Sequence, residues 1–322
     1  MASTEPGPRE PLRAPGNPAT ADAPASKGAE PIPLPVVRPL TAADLSGALA
    51  LSASARWNQS EADWRTMLRL GRGWGIHAAG ADGHATLAAS TVVLPYGTGF
   101  AWVSMVLVLP EFRRRGYASL LLRHALDALA AEGRTAILDA TPAGHAVYVQ
   151  AGFGDTWGFA RWRREALVAL APAVQRPPVP ATRALSDSDW PAIEAMDTPA
   201  FGASRVALLR SLAQRLPQAA RVVEQGGHLR GFVLGRDGRE ASQIGPLLAD
   251  DPRTALGLLA DALQALAGPV YVDLLEGRDE LKAWLQRQGF TFQRPFTRMV
   301  HGQTTAPGKP GAIMLVAGPE LG

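Results

Sequence analysis

Apolar and polar positions along the chain fall into two patterned blocks, flanked and separated by segments with no period. In the first block a helical pattern opens at Thr41-Ala42-Ala43-Asp44, with Thr41 as N-cap, and a further helix is expected over Glu61–Leu70. Strands are expected at Gly75–Ala79, Ala85–Leu94 and Phe100–Leu109, where apolar residues run or alternate. A helix then spans Tyr117–Glu132, with Leu120, Leu121, Ala125 and Leu129 near one face. A strand at Thr135–Ala140, a short helix at Gly144–Gln150 and a strand near Trp157–Arg164 complete the block. That order predicts a mixed α/β fold, antiparallel at first and βαβ-like later.

The second block repeats the later part of this plan. A shift of 137 positions lays Ala118–Leu129 on Ala255–Leu266, Gly152-Phe153 on Gly289-Phe290 and Ile137-Leu138 on Leu274-Leu275 without a gap. One offset shared by strand, helix and turn points to a duplicated fold. The expected organisation is a Pro/Ala-rich tail over 1–35, a domain over 36–168, a linker over 169–182, a second domain over 183–301 and a tail over 302–322. Nine prolines in the first 35 residues leave too little apolar surface to offset ordering, so that segment reads as disordered. In the last segment Ala312–Ala317 reads as a short strand that could join either sheet.

Composition removes several chemistries. The chain lacks cysteine, which excludes disulfides, thiolate metal sites and a cysteine nucleophile. His77, His84 and His145 are isolated and lack metal-ligand spacing, so no metal is expected. The net charge of +3 gives no basic arm, and nucleic acid is not an expected partner. Arg161, Arg163 and Arg164 with Trp157 and Trp162 read more simply as one alternating edge strand. No apolar run reaches the roughly 18–20 residues of a membrane helix and no signal peptide is visible, so the expected location is cytoplasmic.

One segment carries chemistry. In Val106-Leu107-Val108-Leu109-Pro110, a strand ends at a proline, and Arg113-Arg114-Arg115-Gly116-Tyr117-Ala118-Ser119 turns into the helix. Backbone N–H groups at a helix N-terminus form an anion cradle, reinforced by the macrodipole. Gly116 allows close approach of a phosphate, and Arg113 to Arg115 add charge-assisted donors.

These residues resemble the GNAT superfamily of acyl-CoA-dependent N-acyltransferases, whose signature is Arg/Gln-x-x-Gly-x-Gly/Ala after a Val-x-Val-x-Pro strand. The resemblance covers roughly residues 37 to 165. Together with the duplication it implies two tandem domains of this type, each a mixed, mostly antiparallel sheet flanked by helices. It also implies that backbone from Val106 through Leu107 to Val108 pairs with the pantetheine arm of acetyl-CoA, and that amides from Arg113 to Ser119 hold its pyrophosphate. Tyr148, in Tyr148-Val149-Gln150-Ala151-Gly152-Phe153, matches the tyrosine that protonates the leaving thiolate. Thr141 stands where the family often has asparagine, and is expected to contact CoA.

No base is assigned. The strand Phe100–Leu109 lacks the carboxylate that many relatives carry; Asp139 reads first as structural, and otherwise as a base acting through water. In the second block the same shift puts Asp250, Arg253 and Leu285 at the positions of Arg113, Gly116 and Tyr148. Two aspartates beside a pyrophosphate repel it, so this block reads as degenerate. It could wall the acceptor cleft, supply contacts or cover an edge strand. The expected activity is acetyl transfer from acetyl-CoA to a primary amine by direct attack, on a small-molecule or peptide acceptor. A non-catalytic CoA-binding sensor or scaffold is the alternative.

Overall fold

The structure, a computed structural model, describes residue 2 and residues 35–80, 83–165 and 181–322. The expected tail over 1–35 and linker over 169–182 fall almost entirely outside the described residues. Thr182, placed in the linker from sequence, instead opens a strand.

The first half runs β1 (Val37–Pro39), α1 (Leu45–Ser54), α2 (Glu61–Leu70), β2 (Arg72–Ala79), β3 (Ala85–Tyr96) and β4 (Phe100–Val108). It continues through α3 (Tyr117–Ala131), β5 (Thr135–Ala140), α4 (Pro142–Gln150) and β6 (Phe153–Arg164). The second half repeats that order as β7 (Thr182–Ala184), α5 (Trp190–Phe201), α6 (Val206–Arg215), β8 (Arg221–Gln225), β9 (His228–Arg236) and β10 (Ser242–Ala249). It ends with α7 (Pro252–Gln264), β11 (Val270–Leu275), α8 (Asp279–Arg287), β12 (Thr291–His301) and β13 (Ile313–Leu315). Thr41 does cap its helix, but a short 3-10 turn over Ala42–Asp44 comes before α1. Its hydroxyl accepts from the Ala43 amide at 3.2 Å, and Asp44 accepts from the Thr41 amide at 2.8 Å.

All the described strands join one sheet in the order β1-β2-β3-β4-β5-β12-β6-β11-β13-β10-β9-β8-β7. The pairings are antiparallel except β4 with β5 and β10 with β11. The centre of this order is a reciprocal exchange. Strand β12, from the second half, lies against β5 of the first, and β6, from the first half, lies against β11 of the second. The reading of Trp157–Arg164 as an edge strand is therefore wrong: β6 lies between β12 and β11, and Arg161 and Arg164 are buried. The alternation that suggested an edge arises although the strand is covered on both sides: Arg161 finds the buried Asp273, and Arg164 lies 5.2 Å from the ring centre of Phe290. The short strand near the C-terminus joins β10 and β11 of the second half.

Each exchanged strand carries an arginine facing an aspartate directly across the ladder. Arg298 stands opposite Asp139 and binds it through two hydrogen bonds of 2.9 and 3.0 Å. Arg161 stands opposite Asp273 and does the same at 2.8 and 2.7 Å. The two arginines are related by the 137-residue shift. Both pairs are buried, and each guanidinium is also flanked by rings: Arg298 by Trp102 at 4.3 Å and Trp157 at 3.9 Å, Arg161 by Tyr271 at 5.1 Å and Phe296 at 5.4 Å. The bidentate geometry suits ionised carboxylates; burial raises the Asp139 carboxyl, and the Arg298 guanidinium opposes that rise.

The apolar cores follow the exchange. Met299 of β12 packs with Leu121, Ala125 and Leu138 beneath α3, while Trp162 of β6 packs with Leu258, Leu285 and Phe290 in the second half. A further cluster joins Leu51, Trp64 and Trp102 to Phe201, Leu212 and Leu321. Asn58, between α1 and α2, bridges the halves by donating to the Ala241 carbonyl at 2.9 Å and accepting from the Glu240 and Ala241 amides at 2.9 and 3.0 Å.

Replacing Asp139 with alanine leaves Arg298 buried and unpaired, with an expected loss of about 3–5 kcal/mol in urea unfolding. Changing the pair together, Asp139→Leu with Arg298→Met, recovers most of that loss. A single variant as stable as the wild type would overturn the role given to the pair.

Candidate active site

Strands β4 and β5 are paired only where Phe100, Ala101 and Trp102 face Thr135, Ala136 and Ile137. Beyond Trp102 no further pairing joins them. On the other side of β4 the register with β3 shifts between Ser90 and Val92, and Met105 takes a left-handed backbone, φ 51°. A bulge of this kind bends a strand and ends its pairing. The gap becomes a cleft, with Ser104, Met105 and Val106 on one side and Leu138, Asp139, Thr141 and Tyr148 on the other.

At the end of β4, Pro110–Phe112 forms a 3-10 turn and the chain swings into α3. Arg114 has φ 61° and Gly116, the N-cap of α3, has φ 78°. An arginine in the left-handed region is strained, a state that collects at functional turns. A Cβ built on Gly116 would meet nothing within 4 Å, so the glycine is required by backbone conformation and the space above it is open. The first helical bond runs from the Leu120 amide to the Gly116 carbonyl at 3.0 Å, and no side chain caps the amides before it. Arg113, Arg114 and Arg115 are exposed around this turn. The Arg113 side chain donates to the Val108 carbonyl at 3.3 Å, and that of Arg115 to the Glu111 carbonyl at 3.0 Å.

The matching helix in the second half shows what a closed cradle looks like. Helix α7 keeps the 137-residue shift on its buried face, with Leu258, Leu259 and Ala262 where α3 has Leu121, Leu122 and Ala125. It starts two residues earlier than the shift implies, so Asp251 holds the N-cap position that Gly116 holds in α3. The Asp251 carboxylate accepts from the Arg253 and Thr254 amides at 2.9 and 3.0 Å and from the Thr254 hydroxyl at 2.7 Å. Pro252 has no N–H to offer. The donors that would hold an external anion are already used internally. Leu285, at the position of Tyr148, is fully buried.

Of the residues expected from sequence, Val106, Thr141 and Tyr148 line the one cleft, and Leu107 and Val108 continue β4 toward the turn. The turn itself holds Arg113 to Ala118, while Ser119 faces a separate groove between α3 and α4. Thr141 is the N-cap of α4. Tyr148 has no hydrogen-bond partner among the described residues, and burial alone pushes its phenol up to about 12. Asp139 lines the cleft but gives both oxygens to Arg298, which fits its structural reading. Trp57 lines the cleft, whereas Trp64 is core, its indole donating to Ser52 at 2.9 Å.

The sequence reading missed Gln59, Ser104, Arg161, Arg294, Phe296, Pro319 and Glu320, which also line the cleft. Four of these come from the second half and its C-terminal segment. That segment is held in the first half, where the Trp102 indole donates to the Pro319 carbonyl at 3.0 Å and the Tyr96 hydroxyl to the Leu321 carbonyl at 2.7 Å. Glu320 is paired with Arg236, which also pairs with Asp63. The second half thus walls the cleft of the first.

Residues 50–153 match the acetyltransferase (GNAT) family model, and residues 193–314 match an acetyltransferase (GNAT) domain model. No curated protein matches the chain in sequence. Among solved structures the chain is similar to a suggested acetyltransferase from Pyrococcus horikoshii, 20% identical with a TM-score of 0.71, covering 89% of this chain and 95% of that one. It is also similar to a tandem GNAT protein from the clavulanic acid biosynthesis pathway, at 20% identity, TM-score 0.60 and 82% and 97% coverage. A GCN5-related N-acetyltransferase from Sphaerobacter thermophilus has 19% identity, TM-score 0.59 and 85% and 96% coverage.

Burial raises the Asp251 carboxyl and the bonds from Thr254 and Arg253 outweigh that, holding it below the usual range. Its stabilisation is present above the ordinary carboxylate pKa and is lost as the pH falls through the lowered one. Asp251→Ala should cost about 1 kcal/mol in thermal unfolding at neutral pH, with the difference from wild type shrinking below about pH 4. A pH-independent difference, or none, would contradict the cap.

Proposed function

The chain belongs to the GNAT acetyltransferase superfamily, with two of its domains in tandem, and on that premise we propose that it transfers an acetyl group from acetyl-CoA to a primary amine by direct attack. One observation carries the reading: the open cradle at Gly116 and the cleft holding Tyr148 adjoin the same strand, β4, whereas the second half has a helix capped by Asp251 and Leu285 at the position of Tyr148. Acetyl-CoA supplies an acyl group on a thiolate leaving group. The amides from Arg113 to Ser119 hold its pyrophosphate, with the arginine side chains adding charge-assisted donors. The β4 backbone from Val106 to Val108, unpaired on the side that parts from β5, accepts the pantetheine arm, and Thr141 adds a polar contact across the gap. A phenol that has no internal partner is free to donate to the thiolate as the carbon–sulfur bond breaks. With no cysteine in the chain, attack by the bound amine itself accounts for transfer, and most of the rate comes from holding the two reactants together.

Saturating acetyl-CoA should raise the melting temperature, and Gly116→Glu should abolish the rise; an unchanged wild-type melting curve sinks the proposal. Full stabilisation by acetyl-CoA, with no amine-dependent thiol release over a broad panel, would favour a CoA-binding sensor or scaffold instead.

Tyr148→Phe should lower kcat by about 100-fold while leaving stabilisation by acetyl-CoA intact. Because the phenol is pushed up to about 12, it stays protonated through the working range, so kcat should not fall with alkali near the ordinary phenol value of 10. A fall there that disappears in Tyr148→Phe would show that this tyrosine is not held as described.

A further inference from the structure

Four side chains lining the cleft end in buried polar atoms without hydrogen-bond partners among the described residues: Gln59 Oε1, Ser104 Oγ, Glu320 Oε2 and Arg294 Nε. Gln59 and Glu320 are each 2% exposed. Buried polar groups are almost always paired, so four orphans around one cavity mark the outline of a ligand. They also differ in sign. Gln59 and Glu320 offer oxygens that accept, and the Ser104 hydroxyl can accept as well. Arg294 can only donate.

The charges sort the same way. Asp139 is matched by Arg298 and Arg161 by Asp273, so neither pair leaves a charge for a ligand. Glu320 gives one oxygen to Arg236 and keeps the other. Arg294 forms no ion pair or hydrogen bond among the described residues and only lies 5.3 Å from the ring centre of Phe296. Burial, then the Arg161 charge, weakens its hold on its proton. An anion in the cleft would relieve both effects.

We infer that these groups form the acceptor subsite, and that the acceptor is a primary amine carrying an anionic group, in the manner of an amino acid. This rests on the acetyl transfer proposed above. The ammonium lies against Gln59, Ser104 and the free oxygen of Glu320, and the anion against Arg294. Glu320 takes one ammonium proton and releases it to solvent. The amine lone pair then forms the carbon–nitrogen bond, and the carbon–sulfur bond breaks. The thiolate takes the Tyr148 proton, and the second nitrogen proton restores the phenol. Glu320 is thereby the base that the sequence could not assign.

The test measures kcat/KM with acetyl-CoA for amino acids against their uncharged carboxamides, and for phosphoethanolamine against ethanolamine. The anionic member of at least one pair should be preferred by about tenfold or more, and the preferred pair tells carboxylate from phosphate. Arg294→Gln should erase the preference through the acceptor KM, leaving the KM for acetyl-CoA within about twofold. Glu320→Gln, nearly isosteric and leaving Arg236 its Asp63 partner, should cut kcat by about 100-fold, with Glu320→Asp restoring part of it and stabilisation by acetyl-CoA unchanged. Equal use of both members of every pair, turnover confined to uncharged amines or absent with all anionic ones, or full activity in Glu320→Gln overturns the inference. Loss of acetyl-CoA stabilisation in the wild type would overturn the parent proposal instead.

Discussion

The structure turns on two buried arginine–aspartate pairs that bind β12 of the second half to β5 of the first and β6 of the first half to β11 of the second. A buried ion pair contributes little net stability, because desolvation offsets most of the attraction. Its effect is to penalise every other arrangement. If β6 and β12 slipped by one residue, each guanidinium would turn to the opposite face of the sheet and leave a charge unpaired on both sides. Arg298–Asp139 and Arg161–Asp273 therefore fix register as well as partner, and the rings around each guanidinium narrow the choice further.

The cleft inherits that register. Arg294 and Phe296 reach it because β12 lies beside β5, and Glu320 reaches it because the chain, after joining β10 and β11 at β13, turns back into the first half. The cleft is composite. The first half contributes the anion cradle, the bulged strand and the phenol, and the second contributes charge and aromatic wall. The second half's own helix terminus is silenced by a carboxylate that does internally what a phosphate would do from outside.

What could be read from the sequence was local. Gly116 beside three arginines, a strand before it and an apolar helix stripe after it all depend on neighbours within one turn, and each element expected in the first half lies within a few residues of where its pattern puts it, whereas the short β1 had no pattern to announce it. The duplication was legible because the helix face repeats, although Asp251 shows that the cap slid by two positions while the buried face did not. The strand exchange was not legible: β6 has the same composition whichever sheet it enters, and an alternating arginine strand looks exposed until its aspartate is known. Arg294 and Glu320 carried no local signal at all, since the cleft they line is built mostly from residues of the first half, far away in the chain.

The exchange also has a consequence for how such a chain comes to exist. Two separate copies of one half, trading last strands, would make a symmetric dimer whose assembly depends on concentration. On a single chain the partner is always present, at an effective concentration set by the connecting segment. Both pairs must still be kept, because either one lost strands a charge in the interior. Only one cradle, however, needs to stay open. Covalent union thus frees the second copy of the site to drift, into a capped helix and a leucine, while the symmetry of the sheet is preserved.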